Sequence, residues 1–307
     1  MPIPFKTVKA WEIIWNNARK AELVLEILDA RNPRGTRSPE IEAFVRKQEN
    51  RRLAIVLNKI DLAPRHVVQE WEALLAKEFP TICINARHPS NVPEFIAFTK
   101  NVLKELPLWS EPGMHCSVLV VGYPNSGKST LIQSLTRNKK KLGISSQAGF
   151  TKVIQKIKLD EKIYLLDTPG VIPVEEFEEE VRQALDTGSI SPQMINDKES
   201  VFEEIIRRVG MQGLNTIYST NAADKDELIE QLGKARGFLA KGATVRENDV
   251  FELLIRDWQR NHIAFYYSPD PANPSSMGIP HAGWHRRHGT RDVNVQDEHG
   301  GDPPIDK

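Results

Sequence analysis

Gly122-Tyr123-Pro124-Asn125-Ser126-Gly127-Lys128-Ser129 fits the pattern G-x-x-x-x-G-K-[ST]. In that pattern the glycines let backbone N–H groups turn inward around phosphate oxygens. Lys128 would bring positive charge to the β and γ phosphates, and the Ser129 hydroxyl would face Mg²⁺. Asn125, Ser126, Gly127 and Thr130 complete the candidate phosphate lining. Asp167-Thr168-Pro169-Gly170 alone would be a plain turn. Placed after the phosphate loop, Asp167 could hold the Mg²⁺ shell and Gly170 could sense the γ-phosphate. Asn58-Lys59-Ile60-Asp61 alone would be a common turn. In company with the other two segments it suits a purine site. Asp61 can accept two N–H groups from guanine, adenine offers no matching edge, and a site built on such bonds rejects the wrong base strongly. Asn58 would brace the loop and approach the base, and the Lys59 stem would pack on the ring.

These segments need strands and helices to hold them. Residues 5–20 have an amphipathic helical period. Short apolar runs at 23–28, 53–57, 81–84, 117–121 and 163–166 read as buried strands, and 153–159 alternates like a half-exposed one. Helical patterns at 67–78 and 92–106 lie between them, the latter with Pro93 in its first turn. Strands alternating with helices predict an α/β fold with a mostly parallel sheet covered on both faces. Each motif directly follows a strand. After Pro173 the pattern becomes helical, at 178–186, 201–209, 225–232 and 249–260, with no convincing strand. A domain of residues 1–174, a smaller all-α domain of 175–267 and a flexible tail of 268–307 are expected.

The chain has 307 residues, 40% of them hydrophobic and 27% charged, with 41 Lys plus Arg against 41 Asp plus Glu. That composition excludes collagen-like, wholly disordered and disulfide-scaffold classes. A net charge of zero argues against a blanket electrostatic nucleic-acid binder, though local basic patches remain. The two cysteines, Cys83 and Cys116, lack metal-ligand spacing and fit a reducing compartment. No apolar run is long enough to span a bilayer, and no signal peptide is evident. A soluble cytoplasmic protein with no membrane partner is expected. His281, His285 and His288 lack the fold and second cluster that a metal site requires.

The motif order resembles that of the circularly permuted GTPases of ribosome assembly, the YlqF/YawG-like group of translation-factor-class P-loop GTPases. Ordinary members place the phosphate loop first; here Asn58–Asp61 precedes Gly122–Ser129. Asp29-Ala30-Arg31-Asn32-Pro33 matches that group's Asp-Ala-Arg-x-Pro, and 254–260 resembles the end of its helical domain. The resemblance covers about residues 8–267. It implies a permuted P-loop GTPase fold that binds GTP or GDP with Mg²⁺ held by Ser129, Thr151 and Asp167. Thr151 would be the first-switch ligand. Asn85-Ala86-Arg87 would be the base-loop counterpart, with the Ala86 N–H free for the guanine oxygen, though Asn85 and Arg87 depart from the usual serine and lysine. Val171 stands where a water-orienting glutamine is common. Asn125 marks members that use K⁺ beside the β and γ phosphates. Lys128, Thr151, Gly170 and Asn125 would therefore carry catalysis, with K⁺ supplying an arginine finger's charge.

The implied function is a GTP-hydrolysing assembly factor on a ribosomal precursor, the large subunit favoured, as a monomer contacting rRNA. Lys139-Lys140-Lys141 in the first switch and Lys234, Arg236, Lys241, Arg246, Arg256 and Arg260 in the helical domain are candidate RNA contacts. A GTP-gated scaffold with negligible turnover and a small-subunit factor are the alternatives. A small-molecule kinase gives Asn58–Asp61 no role.

Overall fold

A computed structural model describes residues 5–142, 155–167, 180–269 and 277–278. The chain begins with helix α1 (Phe5–Ala18), then β1 (Leu23–Asp29), α2 (Pro39–Arg46), β2 (Arg52–Asn58), α3 (Arg65–Leu75), β3 (Thr81–Ile84) and α4 (Asn91–Lys104). The second half of the sheet follows as β4 (Cys116–Val121), α5 (Lys128–Leu142), β5 (Gln155–Asp160) and β6 (Ile163–Asp167). The strand order is β3-β2-β1-β4-β6-β5, parallel throughout except for the antiparallel edge strand β5.

Strand β1 lies at the centre and all seven of its residues are buried. Its side chains alternate between two layers, as the strand period of two requires. Val24 and Leu28 join Ile14, Ile41, Val67 and Trp71 on the α1, α2 and α3 face. Leu23, Leu25 and Ile27 join Phe95, Val102, Leu131 and Leu135 on the α4 and α5 face. The apolar run hides one acid: Glu26 is fully buried, and its Oε1 accepts the Ser38 N–H at 2.6 Å. Burial, reinforced by the nearby Glu42 charge, pushes its carboxyl up to about 8, so the group is mostly neutral at pH 7.

The helical part contains α6 (Lys198–Val209), α7 (Met211–Tyr218), α8 (Lys225–Ala235) and α9 (Glu247–Gln259). Residues between Ala184 and Phe265 form a separate apolar cluster. Phe202 packs on Phe251 with ring centroids 4.8 Å apart, and Trp258 stacks on Phe265 at 4.1 Å. The Trp258 indole N–H donates to the Leu185 carbonyl at 2.8 Å, which satisfies its polar end inside the core.

Several local expectations differ from the structure. α2 and α7 are eight-residue helices, too short to declare a period beyond two turns. α2 is nucleated by its Ser38 cap and by Pro39 at its start. Of the expected 178–186 helix, 180–186 lie among the described residues and are helical, with α geometry at 180–181 and π geometry at Arg182–Asp186. Leu239 and Val245 form an isolated antiparallel bridge where no strand was expected. In the tail, Met277–Gly278 (β8) pairs antiparallel with Tyr266–Tyr267 (β7).

Candidate functional site

Parallel pairing sends the carboxyl ends of β1, β2, β3, β4 and β6 to one edge of the sheet. The strand order reverses direction between β1 and β4, the position where open parallel sheets leave a crevice for ligands. The phosphate loop leaves β4 at Gly122, and α5 starts at Lys128, so the α5 N-terminus faces the loop. Gly127 has φ 105°, and a Cβ there would lie 2.0 Å from Asn58 Nδ2. Only glycine allows that approach.

Asn58, only 2% exposed, ties the two halves of the site together. Its Nδ2 donates to the Ser126 carbonyl at 2.8 Å, and its Oδ1 accepts the Ala86 N–H at 2.9 Å. The Ala86 N–H, expected to be free for guanine, is thus already committed, because Asn58 offers it a buried acceptor. Asn58 itself braces both loops with its whole amide. Asn85 supplies local bracing by accepting the Arg87 N–H at 3.0 Å, which a serine would otherwise do.

Lys59 has a left-handed backbone, φ 63°, and its ammonium donates to Asp29 Oδ2 at 2.7 Å. Burial lowers its pKa while the Asp29 charge opposes that shift. Asp61, at partial exposure, holds no hydrogen bond or ion pair among the described residues. Its carboxylate is therefore available to a ligand. Ser129 is exposed, and its hydroxyl likewise has no partner among the described residues. Ser129 and Asp167 are oxygen donors of the hard type that Mg²⁺ prefers, and β6 delivers Asp167 to the same sheet edge as the phosphate loop. Asn125 is exposed with φ 61°, and its Nδ2 donates to the Gly188 carbonyl, which leaves its Oδ1 as the atom able to face a cation. Thr151, Gly170 and Val171 lie outside the described residues, as do the side chains of Asp167 and Lys139 to Lys141.

Lys128 is 7% exposed and curls its ammonium onto the Tyr123 carbonyl at 2.5 Å. Burial, with the Lys59 charge added, lowers its pKa to about 7. A bound phosphate would restore an ordinary lysine pKa, so binding takes up a proton wherever the free lysine is neutral. Nucleotide affinity should accordingly be flat below pH 6.5 and fall as pH rises from 7 to 9. Calorimetry in buffers of different ionisation enthalpy should show proton uptake at pH 8 and little at pH 6.

Among the candidate RNA contacts of the helical part, several cations are already paired. Lys234 meets Glu230, Arg246 meets Asp249 at 3.0 Å, and Arg256 meets Glu252 at 3.9 Å. Lys241 and Arg260 carry no ion pair among the described residues.

Residues 117–220 match the family described as 50S ribosome-binding GTPase. The chain is 29% identical over 272 residues to nucleolar GTP-binding protein 2 of Pneumocystis carinii, covering 86% of this chain and 56% of that protein. It is 32% identical to the guanine nucleotide-binding protein-like 3 homolog of Caenorhabditis elegans, over 86% of this chain and 51% of that one. The chain thus spans about half the length of these relatives. GNP-bound YlqF from T. maritima superposes with a TM-score of 0.57 at 25% identity, over 83% of this chain and 95% of that structure. GDP-bound YlqF gives 0.60 at 24% identity, over 84% and 99%.

Proposed function

We propose that this chain, a circularly permuted P-loop GTPase homologous to YlqF and to nucleolar GTP-binding proteins, binds and hydrolyses GTP to time its stay on a ribosomal precursor. The observation that carries the reading is the Asn58 amide. It holds the phosphate loop and the base loop, far apart in sequence, as two walls of one site, and the uncommitted Asp61 carboxylate follows it by three residues. Asp61 reads the guanine edge, Lys128 holds the phosphates, and Ser129, Thr151 and Asp167 are the Mg²⁺ ligands. Mg²⁺ and K⁺ would supply charge to the β and γ phosphates as the γ-bond breaks. Asn125 would offer its Oδ1 to K⁺, and Gly170 would sense the γ-phosphate. Val171 cannot orient water, which leaves electrostatic positioning around the phosphates as the main catalytic device.

The chain divides functionally into a GTPase unit, 1–174, a helical unit, 175–267, and a tail. Only Val171 to about Glu175 join Asp167–Gly170 to the helical unit in sequence, so loss of the γ-phosphate would alter how that unit, and the surface that meets rRNA or a ribosomal protein, is held. The large subunit is favoured by the 50S ribosome-binding family match over 117–220. Two free cysteines suit a reducing compartment, cytoplasm or nucleolus alike. The protein is read as a monomer.

Co-sedimentation with purified large and small subunits, in a non-hydrolysable GTP analogue and in GDP, tests the reading. Binding to the large subunit with the analogue alone is the expected result. Turnover measured on those particles in K⁺ and in Na⁺ tests the cation, and equal rates would remove K⁺ from the mechanism. Nucleotide-independent binding with no turnover would instead favour a scaffold.

A further inference from the structure

The guanine-reading loop is supported from outside the GTPase sheet. Asp29, at the end of β1, uses both carboxylate oxygens. Oδ2 accepts Lys59 Nζ and Arg31 Nη2, each at 2.7 Å. Oδ1 accepts Arg31 Nε and the Arg31 backbone N–H, each at 3.0 Å. Attraction to the two cations outweighs burial and holds the Asp29 carboxyl well below the usual carboxylate range. Arg31 is gripped in turn by the end of the helical unit. Its Nη1 donates to Asn261 Oδ1 at 3.2 Å, its guanidinium lies 4.9 Å over the Phe265 ring, and its carbonyl accepts the Tyr267 N–H at 2.8 Å. The Trp71 indole on α3 closes the arrangement by donating to the Tyr267 carbonyl at 2.7 Å. The helical unit also reaches the phosphate loop, through Gly188 and Asn125. It therefore touches the candidate nucleotide site at both its base end and its phosphate end.

We propose that Asp29 and Arg31 are positioning residues for guanine that act through Lys59, and that the Asn261–Tyr267 segment of the helical unit is the support that holds them. The inference rests on the guanine-site reading above. A lysine stem loses rotamer freedom when it is fixed against a base, and that loss weakens binding unless it is met in advance. Asp29 meets it by holding the ammonium. A carboxylate alone could rotate, but the two-pronged Arg31 guanidinium fixes its plane, which a single point cation cannot do. Arg31 keeps that pose because Asn261 and Phe265 hold the far side of its guanidinium and Tyr267 anchors its backbone carbonyl. The base is common to GTP and GDP, so this support acts on both nucleotides equally and does not touch the reacting phosphates.

Arg31→Met in the full chain keeps the stem and removes the fork. The Kd for GDP and the KM for GTP should rise together by about tenfold, the scale of one charge-assisted hydrogen bond. Turnover at saturation should stay unchanged. Asn261→Gly suits the left-handed backbone at that position, φ 64°, and removes only the acceptor for Arg31. It should move both constants in the same direction by a smaller factor, and it decides the matter if Arg31→Met does not fold. In the wild type, GDP should slow hydrogen exchange at the Tyr267 amide, since coupling between two sites is reciprocal. Unchanged affinities in the folded variants, a fall in kcat without a change in KM, or identical Tyr267 exchange with and without GDP would each overturn the inference. A wild-type chain that binds no guanine nucleotide would instead remove the reading on which it rests.

Discussion

Asp61→Asn is expected to weaken GTP binding by about a thousandfold or more, and to admit xanthosine triphosphate in its place. Guanine presents two N–H donors on the edge that a carboxylate can face. Asparagine keeps one acceptor and turns the other into an amide NH₂, which points a donor at a donor. Xanthine carries a carbonyl where guanine carries its amino group, so the new amide NH₂ gains an acceptor and the site is satisfied again. The fold should tolerate the change, because Asp61 is half-buried and holds no hydrogen bond or ion pair among the described residues. Titration with fluorescent GTP and xanthosine triphosphate, beside a melting curve, is the measurement. An unchanged preference for GTP with an unchanged melting temperature would place the base elsewhere.

Asn58→Ala is expected to cost stability and nucleotide binding together. The side chain is almost fully buried and makes two bonds, to the Ser126 carbonyl and from the Ala86 N–H. Alanine strands both partners in a buried place. At roughly 1–3 kcal/mol for each unsatisfied group, the loss should be about 3 kcal/mol after relaxation. The phosphate loop and the base loop would also move independently, so GDP should no longer raise the melting temperature. Asn58→Asp makes the sharper control. It preserves an acceptor for Ala86 and sets an oxygen against the Ser126 carbonyl, so it should rescue little. Gly127→Ala should be severe in the native background, where its Cβ would meet Asn58 Nδ2 at 2.0 Å. It should be milder when combined with Asn58→Ala, and that non-additivity is the signature of direct contact. Full GDP protection in folded Asn58→Ala would show that the two loops are positioned by other groups.

The phosphate loop and the alternating strands were legible because both are local patterns. A glycine-spaced loop between a strand and a helix needs no distant partner to be recognised. Strand Thr81–Ile84 matches its expected bounds, and β1, β2, β4 and β6 differ from theirs by a residue or two. What the sequence hid was pairing at a distance. Lys59 and Asp29 lie thirty residues apart, and nothing in their spacing shows that the ammonium meets that carboxylate. The use of the Ala86 N–H was hidden for the same reason, since its acceptor is on another strand. The contact of Arg31 with Asn261 spans 230 residues. The Asp-Ala-Arg segment was visible as a motif, but its purpose emerges only where the helical unit folds back against it.

The order of strands along the sheet also governs how the chain is made. The half that would read guanine, β1 to β3, leaves the ribosome before the phosphate loop exists. β2 can cover one side of β1 early, but the other side must wait for β4, whose register opposite Leu23 begins at Val118. During that interval a central strand whose seven residues are all buried in the finished fold presents an open edge, the feature from which sheet aggregation starts. Synthesis is therefore the time of greatest hazard for this molecule. A ribosome that slows before Cys116 has emerged would prolong it, whereas emergence of the chain through Val121 would close the edge and end it.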